Sequence, residues 1–201
     1  MIKIGILGFQ GDIEENANAS KKALEHLNID GQVLHVRYPQ QIREIDALII
    51  PGGESTVMGL LAMINNSANV IRDRIMDGMP VLGTCAGMIL LAKSAYDRVV
   101  GNTKQNLLSL LDIVVERNAF GRQFDSFEVE LPIDGISDRF NCVFIRAPVI
   151  MEYAGNVKPI ARLGNKIVAV KQGNIIGTSF HPELSNDTKM HEYLIKMINS
   201  Y

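Results

Sequence analysis

Through its first half the chain alternates apolar runs of strand length with amphipathic stretches of helix length, the pattern of βαβ units around a mostly parallel sheet. Lys3 to Phe9 reads as the first strand. Asp12 then offers an N-cap oxygen, with Glu15 placed for a capping box, and Ile13, Ala17, Ala23, Leu24 and Leu27 trace one helical face. Gln32 to Val36 and Ala47 to Ile50 read as further strands, the latter stopped by Pro51-Gly52-Gly53. Ser55 or Thr56 can cap a helix through Val57, Leu60, Leu61 and Ile64, and a second helical piece ends near Gly78. Pro80 to Gly83 is the next strand, followed by Thr84-Cys85-Ala86-Gly87 and a helix over Met88 to Lys93.

Beyond a polar stretch, Ser94 to Asn106, the pattern changes to short strands without long helices between them: Ile113 to Glu116, Ser126 to Leu131, Cys142 to Arg146, Ile160 to Leu163, Ile167 to Lys171 and Asn174 to Thr178. Tyr96 to Gln105 reads as a polar surface loop. A last amphipathic helix carries Met190, Tyr193, Leu194, Met197 and Ile198 on its apolar face. The expectation is an α/β, three-layer, flavodoxin-like open sheet, mostly parallel with an antiparallel extension in the second half. No repeat or linker divides it, so residues 1–201 are expected to form a single domain.

Composition narrows the partners. A formal charge of -2, with no dense run of Lys or Arg, gives no field for a polyanion, so nucleic acid is not expected. The apolar N-terminal stretch is interrupted by Gln10 and Asp12, too soon for a secretory signal or a membrane span, and a cytoplasmic protein is the default. The 2 cysteines make no disulfide framework. Cys142, in Cys-Val-Phe-Ile, reads as a buried strand residue, whereas Cys85 lies among glycines, in a setting that exposes a side chain.

Gly83-Thr84-Cys85-Ala86-Gly87 has the spacing of a nucleophile elbow, Gly-x-nucleophile-x-Gly, with cysteine in place of serine. The helix start behind it favours thiolate over thiol. A thiolate nucleophile needs a proton carrier, and His181 in Ser179-Phe180-His181-Pro182-Glu183 is the best candidate. In extended chain Glu183 projects to the same side as His181 and can orient the imidazole, while Pro182 keeps His181 out of helical angles. Pro51-Gly52-Gly53-Glu54-Ser55 ends an early strand, at the edge where open α/β sheets bind ligands. The N–H groups of Gly53 and Ala86 are the donor pair expected to form an oxyanion hole. His26, His35 and His191 have no ligand-like spacing to Cys, His or carboxylate, so no metal is expected. Gly5, Gly8 and Gly11 are misspaced for a dinucleotide-binding turn, and no cofactor is expected.

Pro-Gly-Gly, Gly-Thr-Cys-Ala-Gly and His-Pro-Glu, in that order, resemble the class I, or triad-type, glutamine amidotransferases. Gly8-Phe9-Gln10-Gly11, Pro51-Gly52-Gly53-Glu54-Ser55-Thr56, Val115-Glu116-Arg117-Asn118, Phe120-Gly121-Arg122-Gln123, Asp125-Ser126-Phe127-Glu128 and Phe144-Ile145-Arg146-Ala147-Pro148 narrow the resemblance to glutaminase subunits of pyridoxal 5′-phosphate synthase. That resemblance implies a γ-glutamyl thioester on Cys85, a proton shuttle at His181 and an orienting carboxylate at Glu183. It implies L-glutamine contacts from Gly52, Gly53, Glu54, Arg117, Ile145 and Arg146. It also implies a synthase subunit as partner, receiving ammonia directly and activating the glutaminase through Gly52-Gly53, with Gln10 close enough to take part. The rival readings are a glutaminase serving histidine or purine biosynthesis, a stress-protein or peptidase cysteine nucleophile, and a catalytically silent flavodoxin-like binding module.

Overall fold

The computed structural model describes residues 1–97, 99–120 and 126–198. Residues 121–125 of the motif segments quoted above therefore lie outside the described residues. The first half runs β1 (Ile2–Leu7), α1 (Ile13–Leu27), β2 (Gly31–Val36), α2 (Pro39–Arg43), β3 (Ala47–Ile50), α3 (Ser55–Ile64), α4 (Ser67–Met76), β4 (Val81–Thr84) and α5 (Ala86–Leu91). The second half adds β5 (Ala92–Asp97), β6 (Gly101–Asn102), β7 (Leu111–Glu116), β8 (Ser126–Ile133), β9 (Ser137–Ile145), β10 (Val149–Tyr153), β11 (Lys158–Leu163), β12 (Lys166–Gln172) and β13 (Ile175–Thr178). A 3-10 turn at Pro182–Leu184 and helix α6 (Lys189–Ile198) complete it.

The main sheet has the order β2-β1-β3-β4-β13-β12-β10-β7-β5-β6, with β11 beside β12. Strands β2, β1, β3, β4 and β13 are mutually parallel, and the sheet then turns antiparallel through β12, β10 and β7. Hairpin β8-β9 forms a separate two-stranded sheet. Strands β3, β4 and β13 at the centre are buried at every position because both faces of the sheet are covered, and apart from Thr84 and Thr178 at their carboxyl ends they carry no polar side chain. All four residues of β3 are buried: Leu48 and Ile50 join the core under α2 to α5, while Ala47 and Ile49 join the core under α1, α6 and the β8-β9 hairpin. Each such Ile or Leu contributes about 1.5–3 kcal/mol relative to exposure.

Several sequence expectations need correction. Helix α5 stops at Leu91, and the polar stretch after it pairs as strands β5 and β6, because β7 supplies a parallel neighbour that local sequence cannot announce. Strand β10 and helix α2 went unpredicted, and β1 ends at Leu7, two residues early. Glu54, and neither Ser55 nor Thr56, caps α3, its carboxylate accepting from the N–H groups of Thr56 at 3.3 Å and Val57 at 3.0 Å. Asp12 occupies the N-cap of α1 but makes no capping hydrogen bond with its side chain.

Candidate active site

The carboxyl ends of β1, β3, β4 and β13 lie side by side, and each delivers one piece of a cleft at that edge. Past β4, Cys85 is turned up by a left-handed backbone with φ 50° and ψ -105°, strain that a residue bears only where its surroundings hold it. Its N–H donates to the Thr178 carbonyl at 2.8 Å, tying the elbow to β13. Gly87 lets the helix sit on the sheet: a Cβ there would lie 1.9 Å from the Ile50 carbonyl oxygen. The Cys85 thiol donates to the Ile145 carbonyl at 3.9 Å.

Past β13, the N–H of His181 donates to the Val143 carbonyl at 2.8 Å, which fixes the chain as it enters the 3-10 turn. That turn corrects the expected extended His-Pro-Glu. Glu183 still reaches the imidazole, with Oε1 at 2.9 Å from Nδ1, because His181 keeps a non-helical backbone ahead of Pro182. The Glu183 side chain is sealed from solvent, and its Oε2 has no hydrogen-bond partner among the described residues. Burial pushes the Glu183 carboxyl upward, against the opposing pull of His181.

His181 has a second carboxylate neighbour. Asp12 Oδ2 lies 3.2 Å from Nδ1, so Asp12 serves the histidine and not the helix. Burial disfavours imidazolium, yet hydrogen bonds with Asp12, Cys85 and Glu183 outweigh it and push His181 up to about 12. Its hydrogen bond with His181 holds the Asp12 carboxyl below its ordinary value. Asp12, His181 and Glu183 also present donor atoms within 4.8 Å of one another, the one such group among the described residues that could hold a cation; its imidazole Nδ1 is already engaged by both carboxylates.

Cys85, Ala86 and His181 share a cleft of about 400 Å³ with Gln10, Gly53, Glu54, Arg117, Ile145 and Arg146. Gly52 sits beside it against the imidazole, where a Cβ would meet His181 Cε1 at 2.5 Å. Gly53 has φ 150°, in the region that favours glycine. The Gly52 carbonyl points at Gly11, whose Cβ, if it had one, would lie 1.6 Å from that oxygen. Across this trans peptide the N–H of Gly53 therefore points away from Gly11. Arg117 donates to Glu54 at 3.0 Å, to Thr56 Oγ1 at 3.2 Å and to Gln105 Oε1 at 3.3 Å. Gln105 thus supports Arg117 and the start of α3 from behind the cleft, which corrects the reading of 96–105 as surface loop alone. Besides Asp12 and Gln105, sequence reasoning passed over Asn118, which lines the cleft with φ 50°. The signal for Asp12 was its place just past the carboxyl end of β1, the edge that carries the other site loops.

A cysteine sulfur on an elbow, sharing a cleft with a carboxylate-held imidazole, is an arrangement suited to acyl transfer through a thioester, and fold and cleft together point to an α/β enzyme of that class. Comparison with known proteins narrows it: the model of the SNO glutamine amidotransferase family matches residues 6–200, and the chain belongs to that family. The pyridoxal 5′-phosphate synthase subunit PdxT of Nitrosopumilus maritimus is 50% identical over 197 residues, covering 98% of this chain and 96% of the relative. The PdxT subunit of Pyrococcus furiosus is 48% identical over 200 residues, covering 98% of this chain and 100% of the relative. A crystal structure of a glutamine amidotransferase superposes with a TM-score of 0.85 at 42% identity, covering 97% of this chain and 98% of that one.

Proposed function

We propose that this chain is the glutaminase subunit of a pyridoxal 5′-phosphate synthase, hydrolysing L-glutamine to L-glutamate through Cys85, His181 and Glu183 and passing ammonia to a synthase subunit. The observation that carries the assignment of residues is the convergence in one cleft of Cys85 and of His181, itself held at Nδ1 by Glu183 at 2.9 Å. The near full-length likeness to PdxT subunits supports the choice of acceptor pathway. No helix among the described residues is long and apolar enough to cross a membrane, and we place the enzyme in the cytoplasm as one domain over residues 1–201.

In the proposed reaction the Cys85 sulfur attacks the side-chain amide carbon of glutamine, and the oxyanion is met by the N–H groups of Gly53 and Ala86. Such a donor is worth about 3 kcal/mol in the transition state. Collapse breaks the carbon–nitrogen bond; His181 gives its proton to the departing amine and ammonia leaves a γ-glutamyl thioester. His181 then takes a proton from water, which attacks the thioester, and glutamate departs as the thiol is restored. Glu183 keeps the imidazole in the tautomer that presents Nε2 to this chemistry. Arg117 and Arg146 supply cationic partners for the α-carboxylate, Glu54 a partner for the α-ammonium, and Gly52, Gly53 and Ile145 backbone polar groups. Gln10, on the same wall, is placed to respond when the synthase subunit docks. The test is glutamate release measured with and without the synthase subunit. Cys85→Ala and His181→Asn should each abolish it; full activity in Cys85→Ala overturns the assignment.

A further inference from the structure

Orienting a histidine takes one carboxylate, and His181 Nδ1 has two, at 2.9 Å from Glu183 and 3.2 Å from Asp12. The two are held differently. Glu183 is fully enclosed, whereas the Asp12 side chain is 34% exposed and comes from the loop joining β1 to α1. Asp12 stands at the helix N-cap, where an acidic side chain usually accepts backbone N–H groups, yet its carboxylate makes no capping bond there. The same loop is interlocked with the oxyanion strip. A Cβ on Gly52 would lie 2.7 Å from Asp12 Oδ2, and Gly11 has no room for one against the Gly52 carbonyl. Gly52 and Asp12 are thus in van der Waals contact, with no space between the loop and the strip.

We propose that Asp12 is a positioning residue that restrains His181: its carboxylate competes with Glu183 for the Nδ1 edge of the ring, so that withdrawal of Asp12 frees the imidazole to act as the base that hydrolyses the thioester. The inference rests on the acid–base role proposed for His181. In the first half of the reaction a cationic ring is useful, because the departing amine needs a proton. In the second half the ring must be neutral to accept a proton from water, and an acid–base group works best when it titrates near the operating pH. The groups facing the ring are Asp12 from the β1-α1 loop, Cys85 from the elbow and Glu183 from its own turn. Glu54, Arg117 and Arg146 line the same cleft. Asp12 is the one carboxylate at Nδ1 with access to solvent, hence the one that can leave without stranding a buried charge.

The test uses the full chain with Asp12→Asn, which keeps the shape and removes the charge. His181 is followed by NMR of the labelled imidazole, and Cys85-dependent glutamate release is measured against pH. The expected result is a fall in the pH at which His181 loses its proton. Turnover at neutral pH should rise, by less than about tenfold per unit of that fall because the imidazole weakens as a base while more of it becomes neutral, and the fraction of enzyme trapped as thioester should drop. KM should change little. Asp12→Ser, checked by thermal unfolding alongside the first variant, should behave alike. An unmoved His181 titration in folded variants overturns the proposal, and so does lower turnover, which would make Asp12 a helper of Glu183. Glutamate release that persists in Cys85→Ala would instead defeat the reading of the site itself.

Discussion

His181 Nδ1 lies between a carboxylate sealed from solvent, Glu183, to which we assign its orientation, and a partly exposed one, Asp12, to which we assign its tuning. Removing the first costs orientation and leaves the nucleophile in place. Glu183→Ala is therefore expected to lower glutamate release by about two orders of magnitude less than Cys85→Ala does, the pattern of triads whose carboxylate is removed; an equal loss would show that Glu183 does more than orient. Arg117 uses a forked geometry, reaching Glu54, Thr56 and Gln105 together. A lysine has no fork, so Arg117→Lys should raise KM for glutamine with a smaller effect on kcat, readable in steady-state kinetics. At this scale the sequence was informative where chemistry is written into local motifs: Cys85, His181 and Glu183 each sit in a short distinctive string. Asp12 was read as a helix cap because its destination, an imidazole more than a hundred residues away, has no local signature. Gln105 was missed for the same reason: its partners lie on α3 and after β7.

The elbow is the element on which the site depends. Its helix can lie on the sheet only because Gly87 has no side chain facing the Ile50 carbonyl, 1.9 Å from where a Cβ would stand. Gly87→Ala should force the backbone apart and destabilise by about 1–3 kcal/mol, the usual cost of overpacking. In a thermal melt that amounts to a loss of roughly 2–12 °C for a domain of this size, together with lower activity as Cys85 shifts. An unchanged melting temperature would mean the contact relaxes freely. Elements with their own periodicity, such as α1 and α6, or with a continuous apolar run closed by a breaker, such as β3, were legible. Strands β5 and β10 were not: Ala92–Asp97 buries only Ala92 and Ala95, three apart and out of strand rhythm, and Val149–Tyr153 just its first two, so each owes its state to neighbours in the sheet.

Across the whole molecule, α1 and α6 clasp one face of the sheet, and His191 lies buried between them with Nε2 at 3.3 Å from Asn16 Oδ1. Burial pushes His191 down to about 4 from an ordinary 6.5. The unfolded chain then binds a proton at His191 that the folded one refuses. Stability falls as pH drops from 6.5 towards 4, by on the order of 3 kcal/mol from this residue. His181 adds no slope in that window: its folded value is raised, so it is protonated in both states below 6.5, and its contribution fades only as pH climbs towards 12. Urea unfolding across this range should show the acid-side loss, and His191→Gln should remove most of it; an identical slope in both proteins would refute the role of His191. The parallel-to-antiparallel architecture was legible from the change in rhythm along the chain. The order of strands was not, since β13 inserts beside β4 from the far end of the sequence.

That insertion brings His181 to Cys85, and on it rests the claim that glutamine is hydrolysed through a covalent intermediate on one sulfur. The most direct measurement is acid quenching of the enzyme during turnover, followed by mass spectrometry of the peptides. A γ-glutamyl adduct on the peptide containing Cys85, absent in Cys85→Ala, is the expected result. Continued glutamate formation with no adduct, or with one on another residue, would contradict it.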